Sequence, residues 1–374
     1  MNIAFIGQKG IPAKWGGVES HVEELSTRLV KKNHNVTVYV RSWYTEKTIS
    51  EFNGVTIKHV NSINTKYFDA LTHSFNCSIN SLFNKFDIIH YQAIGPSLFC
   101  WIPKIFFNKV IATIHRYDYE ADKWNKFAKS VLKISEKCAL KIPDKTIVVA
   151  NFQKEYYKKI GFETTYIPNG ANIPEIIEPH LIKKDYGLSG KDYILYLGRL
   201  VPEKRCDWII NAYNSFNKKI KKDLKLVIAG GSSASDDYVK YLKSLNNDNN
   251  IIFTGYVSGL KKQELFSNAL LFVLPSNLEG QPIAILEAAS YKLPILASNI
   301  LACREMIINN VNGLLFNNED FNDFRERLLD FIDYPEIKLQ ELGLNAYKNV
   351  VLNYNWDKIA DKTEEVYKSI LNGV

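Results

Sequence analysis

Cysteine is sparse and unpatterned in this sequence. Cys77, Cys100, Cys138, Cys206 and Cys303 are scattered and odd in number, with no CxxC pair and no histidine nearby at metal-ligand spacing. That argues against a disulfide framework and against a zinc site. Proline is also scarce, at 12 residues, which together with the composition excludes a collagenous, disordered or low-complexity chain. Long apolar runs are missing as well. The longest, residues 98–112, is interrupted by Pro103, Lys104 and Lys109 and falls short of the roughly 30 Å of hydrocarbon that a membrane helix must cross. The opening MNIAFIGQKG runs straight into a strand-like stretch without the basic segment, long hydrophobic segment and cleavage site of a secretion signal. A cytoplasmic protein is expected.

What is present is enough apolar material for large cores. Hydrophobic residues make up 46% and charged residues 23% of 374, a length that favours two domains over one. The net charge of +7 is unevenly spread: residues 1–175 carry 23 Lys and Arg against 15 Asp and Glu, whereas the remainder carries 24 against 25. The whole positive excess lies in the first half, where it could serve an anionic substrate, a membrane surface or nucleic acid.

Short β-branched or aromatic runs alternate with longer amphipathic ones, as in βα units around a mainly parallel sheet. Strands are expected at 2–6, 35–40, 87–91, 110–114 and 145–149, and again at 193–197, 225–229, 250–254, 270–274 and 294–297. Two Rossmann-like domains result, at 1–172 and 193–355, with 173–192 as the linker within a proline-rich, aperiodic stretch that starts near Ile167. Residues 356–374 follow an Asn355 cap candidate. Ile359, Thr363, Val366, Tyr367 and Ile370 are helically spaced there, giving a terminal helix expected to cross back to the first domain. Ligands of open α/β sheets bind beyond the carboxyl ends of the strands, so the default site is a cleft lined by post-strand loops.

Four such loops stand out. After the first strand, a glycine-bearing stretch with Gly16 and Gly17 precedes a helix, where bare amides favour an anion such as phosphate, although a turn and a cap would look the same. The spacing is not GxGxxG, which disfavours a dinucleotide. His115 follows the fourth strand and is the best placed of the seven histidines to reach a bound sugar or phosphate. In the second half, Gly198-Arg199 and Glu203-Lys204-Arg205 follow a strand, where Arg199 and Lys204 could together neutralise a diphosphate or could equally be an exposed basic loop. The most specific stretch runs from Pro275 through Glu279, Gly280, Gln281, Pro282 and Ile283 to Glu287. Pro282 suits a first helical turn, and the two carboxylates eight residues apart would reach different depths of one cleft. An unpaired acid at 287 in so apolar a helix would need a partner when buried.

Taken together these residues resemble the retaining nucleotide-sugar glycosyltransferases of the GT-B fold, specifically family 4, over essentially the whole chain. The E-x7-E pair Glu279 and Glu287, preceded by GRLVPEK, carries most of the resemblance. GQKGIPAKWGGVESHVEEL and ATIHRYDYEADKWNKFAKSVLKISEKCA are similar to a subgroup associated with rhamnosyl transfer in surface-polysaccharide assembly. The resemblance implies that the Gly16-Gly17 backbone, Arg199 and Lys204 hold the donor diphosphate and Glu287 the ribose. It gives the sugar hydroxyls to Glu279 with the backbone from Gly280 through Gln281 and Pro282 to Ile283. The base lies near Tyr256 and Val257, and His115 sits near the anomeric carbon. It implies a catalytic set of His115, Arg199, Lys204 and Glu279, with no metal, no cofactor beyond the nucleotide-sugar substrate and no protein nucleophile. No Asp-x-Asp motif is present. Gln281, Pro282 and the His115-Arg116-Tyr117 stretch depart from relatives in the subgroup, which leaves the sugar open among dTDP-rhamnose and UDP- or GDP-sugars.

The acceptor side falls to the first domain, where Trp124, Phe127, Val131, Leu132, Ile134 and Cys138 interleave with Lys123, Lys126, Lys129, Lys133, Lys137 and Lys141. Such a basic amphipathic helix either packs its apolar stripe inward or lies on anionic lipid, at the inner face of the cell membrane. A growing, lipid-diphosphate-linked glycan fits this basic side as acceptor. A nucleotide-sugar epimerase on the same fold, or a non-catalytic protein binding anionic ligands, would leave the Glu279–Glu287 and GRLVPEK pair unexplained. Nucleic acid is not expected as a partner, because no recognition helix or basic aromatic ladder occurs.

Overall fold

The computed structural model describes residues 1–65, 68–121, 124–216, 224–231, 236–246 and 249–373. They form two compact units, one of Met1–Asn169 with Trp356–Val374 and one of Gly170–Asn355.

The first unit begins with β1 (Asn2–Ile6), α1 (Gly17–Lys31), β2 (Asn35–Arg41), β3 (Glu51–Phe52), β4 (Val55–Val60), α2 (Phe68–Ser81) and β5 (Ile88–Gln92). It continues with α3 (Trp101–Ile105), β6 (Lys109–Ile114), α4 (Lys126–Lys141), β7 (Lys145–Val148), α5 (Asn151–Lys159) and β8 (Thr165–Tyr166). The sheet order is β3-β4-β2-β1-β5-β6-β7-β8, parallel except for the β3–β4 pair. Because side chains alternate along a strand, the sheet divides its apolar residues between two cores. Ile3 and Phe5 share one with Val22, Leu25 and Leu29 of α1, while Ala4 and Ile6 share the other with Cys77 of α2 and Ala139 of α4.

The second unit contains α6 (Leu181–Tyr186), β9 (Tyr193–Leu197), α7 (Cys206–Phe216), β10 (Lys225–Ala229), α8 (Asp236–Ser244), β11 (Ile251–Gly255) and α9 (Gly259–Asn268). After them come β12 (Leu271–Leu274), α10 (Ile283–Ser290), β13 (Ile295–Ser298), α11 (Leu301–Arg304), β14 (Leu314–Phe316), α12 (Phe321–Ile332) and α13 (Glu336–Asn353). Its six strands run β11-β10-β9-β12-β13-β14, all parallel, around one continuous core. The aperiodic stretch before β9 contains α6, which packs on α9 and is tied to it by the Ile182 amide donating to Glu264 at 2.9 Å.

The chain ends in α14 (Trp356–Leu371), which returns to the first unit and lies along α1. Trp356, Ile359, Ala360, Thr363, Tyr367 and Ile370 are its buried face, matching the expected spacing, with Val366 packed at the edge. Arg28 pairs with Asp357 at 2.7 Å, and Lys32 with Asp361 at 2.5 Å, on the outer side of the same contact. No described helix is long and apolar enough to cross a membrane.

Candidate active site

In each sheet the strand order reverses at one point, at β1 in the first unit and at β9 in the second, and a crevice opens there beyond the carboxyl ends. The candidate residues fall at these ends and are described unit by unit.

In the second unit β9 and β12 are paired neighbours, so the loops that follow them emerge side by side. The β9 loop carries Arg199 and Lys204 and the β12 loop carries Glu279. The loops are stitched together by the Asn277 amide donating to the Glu203 carbonyl at 3.0 Å. Lys204 Nζ donates to Glu279 Oε1 in a short ion pair with both side chains largely buried. A cation and a carboxylate withdrawn from water need each other, and this pair supplies the match. Arg199 lies near Glu203 at 3.9 Å and remains about a third exposed, its own carbonyl accepting from the Tyr196 hydroxyl at 3.0 Å. Two glycines hold the β9 loop. Gly198 donates to the Ala229 carbonyl, and a Cβ on Gly230, at φ +143°, would lie 1.8 Å from the Gly198 carbonyl oxygen.

Glu287 lies on α10, whose N-cap is Pro282, so the helix begins one residue later than a proline in its first turn would give. The partner that an acid at 287 would need when buried is present in the structure. Glu287 is half-buried and accepts from Lys262 Nζ of α9 at 2.6 Å, because α9 runs into β12 and α10 runs out of it. Gly280, Gln281 and Pro282 are buried, Ile283 half-buried. Tyr256 and Val257 follow β11, where the exposed Tyr256 ring lies against Gly231 closely enough that a Cβ there would sit 2.6 Å from the ring.

In the first unit Gly16 is the N-cap of α1 at φ +106°, and no side chain caps the helix start at Gly17. The preceding loop binds itself through carboxylates and a phenol. Glu19 accepts from the Lys9 amide at 3.0 Å and Glu23 from the Ala13 amide at 2.5 Å, while the Tyr44 hydroxyl takes the Lys14 and Trp15 amides. The amides of Lys9, Ala13, Lys14 and Trp15 are thus held by protein groups, and the helix start at Gly17 is left without a side-chain cap.

His115 lies directly after β6, buried, with Nε2 2.8 Å from Gln92 Oε1 at the end of the neighbouring β5. A carboxamide oxygen only accepts, so the proton sits on His115 Nε2 and Nδ1 keeps its lone pair. The His21 ring of α1 meets it edge-on at 4.8 Å. Burial, with the neighbouring His21 and His90, holds the His115 pKa well below the usual value, and burial lowers that of His21 to about 4. Both rings are therefore neutral at pH 7. His21 Nδ1 is 2.9 Å from Asn169 Oδ1, at the chain's exit from this unit.

Lys262, His21 and Gln92 were not singled out by the sequence. Gln92 was within reach, since it immediately follows the strand expected at 87–91. Lys262 carries no local signal, because only the tertiary route of α9 and α10 around β12 brings it to Glu287. On α4 the expected inward stripe is only partly realised: Phe127 and Ile134 face outward and Trp124 precedes the helix. Lys123 lies outside the described residues. Among the described residues no group of three or more His, Cys, Asp or Glu is placed to hold a metal ion.

Residues 15–174 match the model for Glycosyltransferase Family 4, and residues 180–349 that for Glycosyl transferases group 1. Among curated proteins, the chain is 27% identical over 296 residues to the UDP-Gal:alpha-D-GlcNAc-diphosphoundecaprenol alpha-1,3-galactosyltransferase of Escherichia coli, covering 76% of this chain and 75% of that one. Among solved structures, it superposes on sucrose-phosphate synthase from Thermosynechococcus elongatus with a TM-score of 0.85 at 19% identity, over 100% of both chains. The Anabaena protein HepE in complex with UDP and glucose gives a TM-score of 0.80 at 17% identity, over 99% of this chain and 100% of that one. Both structural likenesses cover the two units, and the architecture is the GT-B fold. The chain therefore carries a glycosyltransferase family 4-like domain followed by a glycosyltransferase group 1 domain, with glycosyltransferases as its homologues.

Proposed function

We propose that the protein is a retaining, metal-independent glycosyltransferase. It moves a hexosyl or deoxyhexosyl unit from a nucleoside-diphosphate sugar to a growing, lipid-linked surface glycan. The observation that carries this reading is the meeting of Lys204 and Glu279 at the carboxyl ends of two adjacent strands, with Glu287 eight residues further along the same loop and helix.

Cleaving an anomeric C–O bond leaves negative charge on the departing diphosphate and positive charge on the sugar. Lys204 and Arg199 are the cations of this crevice and stabilise the leaving group as its charge develops. Lys204 rests on Glu279 until the diphosphate arrives. Glu279 is then released toward sugar hydroxyls, so the pair exchanges partners without exposing an uncompensated charge. Glu287 accepts from the ribose hydroxyls, with Lys262 orienting its carboxylate. Neutral His115, its Nε2–H held by Gln92, accepts a hydrogen bond from a sugar hydroxyl at Nδ1 without adding a cation beside a forming oxocarbenium ion. The acceptor oxygen attacks on the face the leaving group departs from, and its proton goes to the departing phosphate, so no protein nucleophile is needed. The named substrates of the Escherichia coli relative and the UDP complex of the Anabaena protein support a nucleotide-sugar donor and a diphospholipid-linked acceptor. The N-terminal stretch 7–25 is what keeps dTDP-rhamnose beside UDP- and GDP-sugars as donor.

The test is incubation with each nucleotide sugar, with and without an undecaprenyl-diphosphate-linked sugar. Nucleoside diphosphate released only with acceptor, and a product whose anomeric coupling constant matches the donor, is the expected result. Arg199→Ala, Lys204→Ala and Glu287→Ala should each lower turnover on the order of a hundredfold. An epimerised sugar formed without acceptor, or an inverted product, would overturn the reading.

A further inference from the structure

The helix α2 is built inside out. Its residues turned toward the sheet are Asp69, His73, Ser74, Cys77, Ser78 and Ser81, whereas Phe68, Phe75, Ile79 and Phe83 just beyond its end face outward. The outward set is spaced seven, four and four residues apart, one continuous stripe on a helix and the turn that follows it. The inward polar groups are satisfied. Asp69 pairs with the buried Arg41 at 2.9 Å and accepts from the Trp43 indole and the Ser62 hydroxyl. The serines donate to carbonyls one turn back, and Ser78 also meets the Tyr91 hydroxyl at 2.6 Å. This side of α2 is therefore fixed against the sheet, and among the described residues its apolar stripe is left substantially exposed.

The neighbouring elements extend the same surface. Helices α2 and α4 both pack on the short turn Pro96–Phe99, α3 packs on α2, and the Phe75 and Phe99 rings meet at 5.5 Å. From α3 and its end Trp101, Ile105, Phe106 and Phe107 project outward, Phe107 at 95% exposure and in the left-handed region at φ 61°. A bulky residue in that conformation costs free energy, and here its ring gains no packing in return. Phe127 and Ile134 of α4 add to the patch. Beside them run Lys126, Lys133, Lys137 and Lys141 on one exposed stripe of a helix whose sole acid is Glu136.

We propose that this face of the first unit docks on the surface of an anionic lipid bilayer. The aromatic and aliphatic side chains of α2 and α3 enter the headgroup and acyl boundary, and the α4 lysines lie over the acidic headgroups. Large apolar side chains exposed in such number on neighbouring elements mark an interaction site rather than ordinary surface. The charge selects the partner. The exposed side chains of α2 and α3 include no carboxylate, and α4 contributes a row of lysines, which complements a sheet of negative headgroups. The surface rests on the first unit alone and does not depend on the identity of the donor. Its link to a lipid-linked acceptor rests on the proposed function.

Vesicle co-sedimentation of the full chain tests it, with no nucleotide present. The wild type should pellet with vesicles of phosphatidylglycerol and phosphatidylcholine at physiological salt and remain in solution with phosphatidylcholine alone. Phe83→Ser with Phe107→Asn and Phe127→Ser, three of the most exposed positions, should weaken binding at least about tenfold while leaving the circular dichroism spectrum and melting unchanged. Lys126→Ala with Lys133→Ala and Lys137→Ala should do the same. Wild-type protein that ignores anionic vesicles, or binds neutral ones equally, overturns the proposal. So does a solution dimer that the phenylalanine variant converts to monomer, which would make the face a contact between copies. Nucleoside-diphosphate binding, measured separately, reports on the transferase reading and is unaffected by either set of variants.

Discussion

Lys204 and Glu279 illustrate how much a single contact changes the meaning of a motif. Read along the chain, one is a phosphate ligand and the other a sugar ligand, 75 residues apart. In the fold they are each other's partner. Spacing identifies residue types suited to a ligand, but what holds them before the ligand comes depends on strand order, here the pairing of β9 with β12. The histidines of the first unit make a separate point. His21 has its pKa lowered to about 4, and burial holds those of His90 and His115 well below the usual value as well. A histidine whose folded pKa is depressed binds fewer protons folded than unfolded between the two values. Its contribution is intact above the unfolded pKa of about 6.5 and is lost as pH falls below it. Stability should accordingly decline as pH is lowered from about 7 to about 5, with His21 alone forfeiting about 3 kcal/mol by pH 4. Melting temperature against pH measures this. A His21→Gln variant should show a shallower decline, and a pH-independent melting temperature would show that the cluster is not kept neutral.

At the level of elements, the post-strand loops were legible because each follows a run of β-branched or aromatic residues and contains a glycine or proline. The ten expected strands all occur, shifted by no more than one residue at either end. β3, β4, β8 and β14 were missed for physical reasons. β3 and β8 are two-residue edge strands, β14 has three residues, and β4 carries Lys58 and His59 on an outer strand where alternation replaces a buried run. The inverted burial of α2 shows the limit of periodicity, which reports which residues share a face and not which face is turned inward. Asp69 decides it, by pairing with an arginine already buried at the end of β2. The loop carrying Arg199 offers a direct test of how glycine shapes the site. Gly230→Ala places a Cβ against the Gly198 carbonyl at a φ that side chains avoid, and the β9 loop must move. A stability loss of about 1–3 kcal/mol is expected, together with weaker nucleotide binding. Unchanged binding in that variant would mean that the loop's position is not set by this contact.

For the whole molecule, the charge imbalance noted at the outset acquires a location. The near-neutral second half builds the unit whose crevice contains Arg199, Lys204, Glu279 and Glu287, and the positive excess belongs to residues of the first unit, including the lysine row of α4. The chain's end was foreseen from its helical spacing, and α14 does lie along α1. Helical spacing carries no sign, however, that Tyr367 hydrogen-bonds His90 at 2.7 Å and so ties the last helix to the histidine cluster. The central claim is that the second unit binds a nucleoside-diphosphate sugar through the paired loops after β9 and β12. It is tested most directly by calorimetric titration of UDP, GDP and dTDP into the wild type and into Lys204→Ala. One nucleotide should bind the wild type, with affinity reduced at least about tenfold in Lys204→Ala at a temperature where both proteins are folded, the variant melting lower without ligand because Glu279 loses its buried partner. Failure of all three to bind, or equal binding to both proteins, would contradict it.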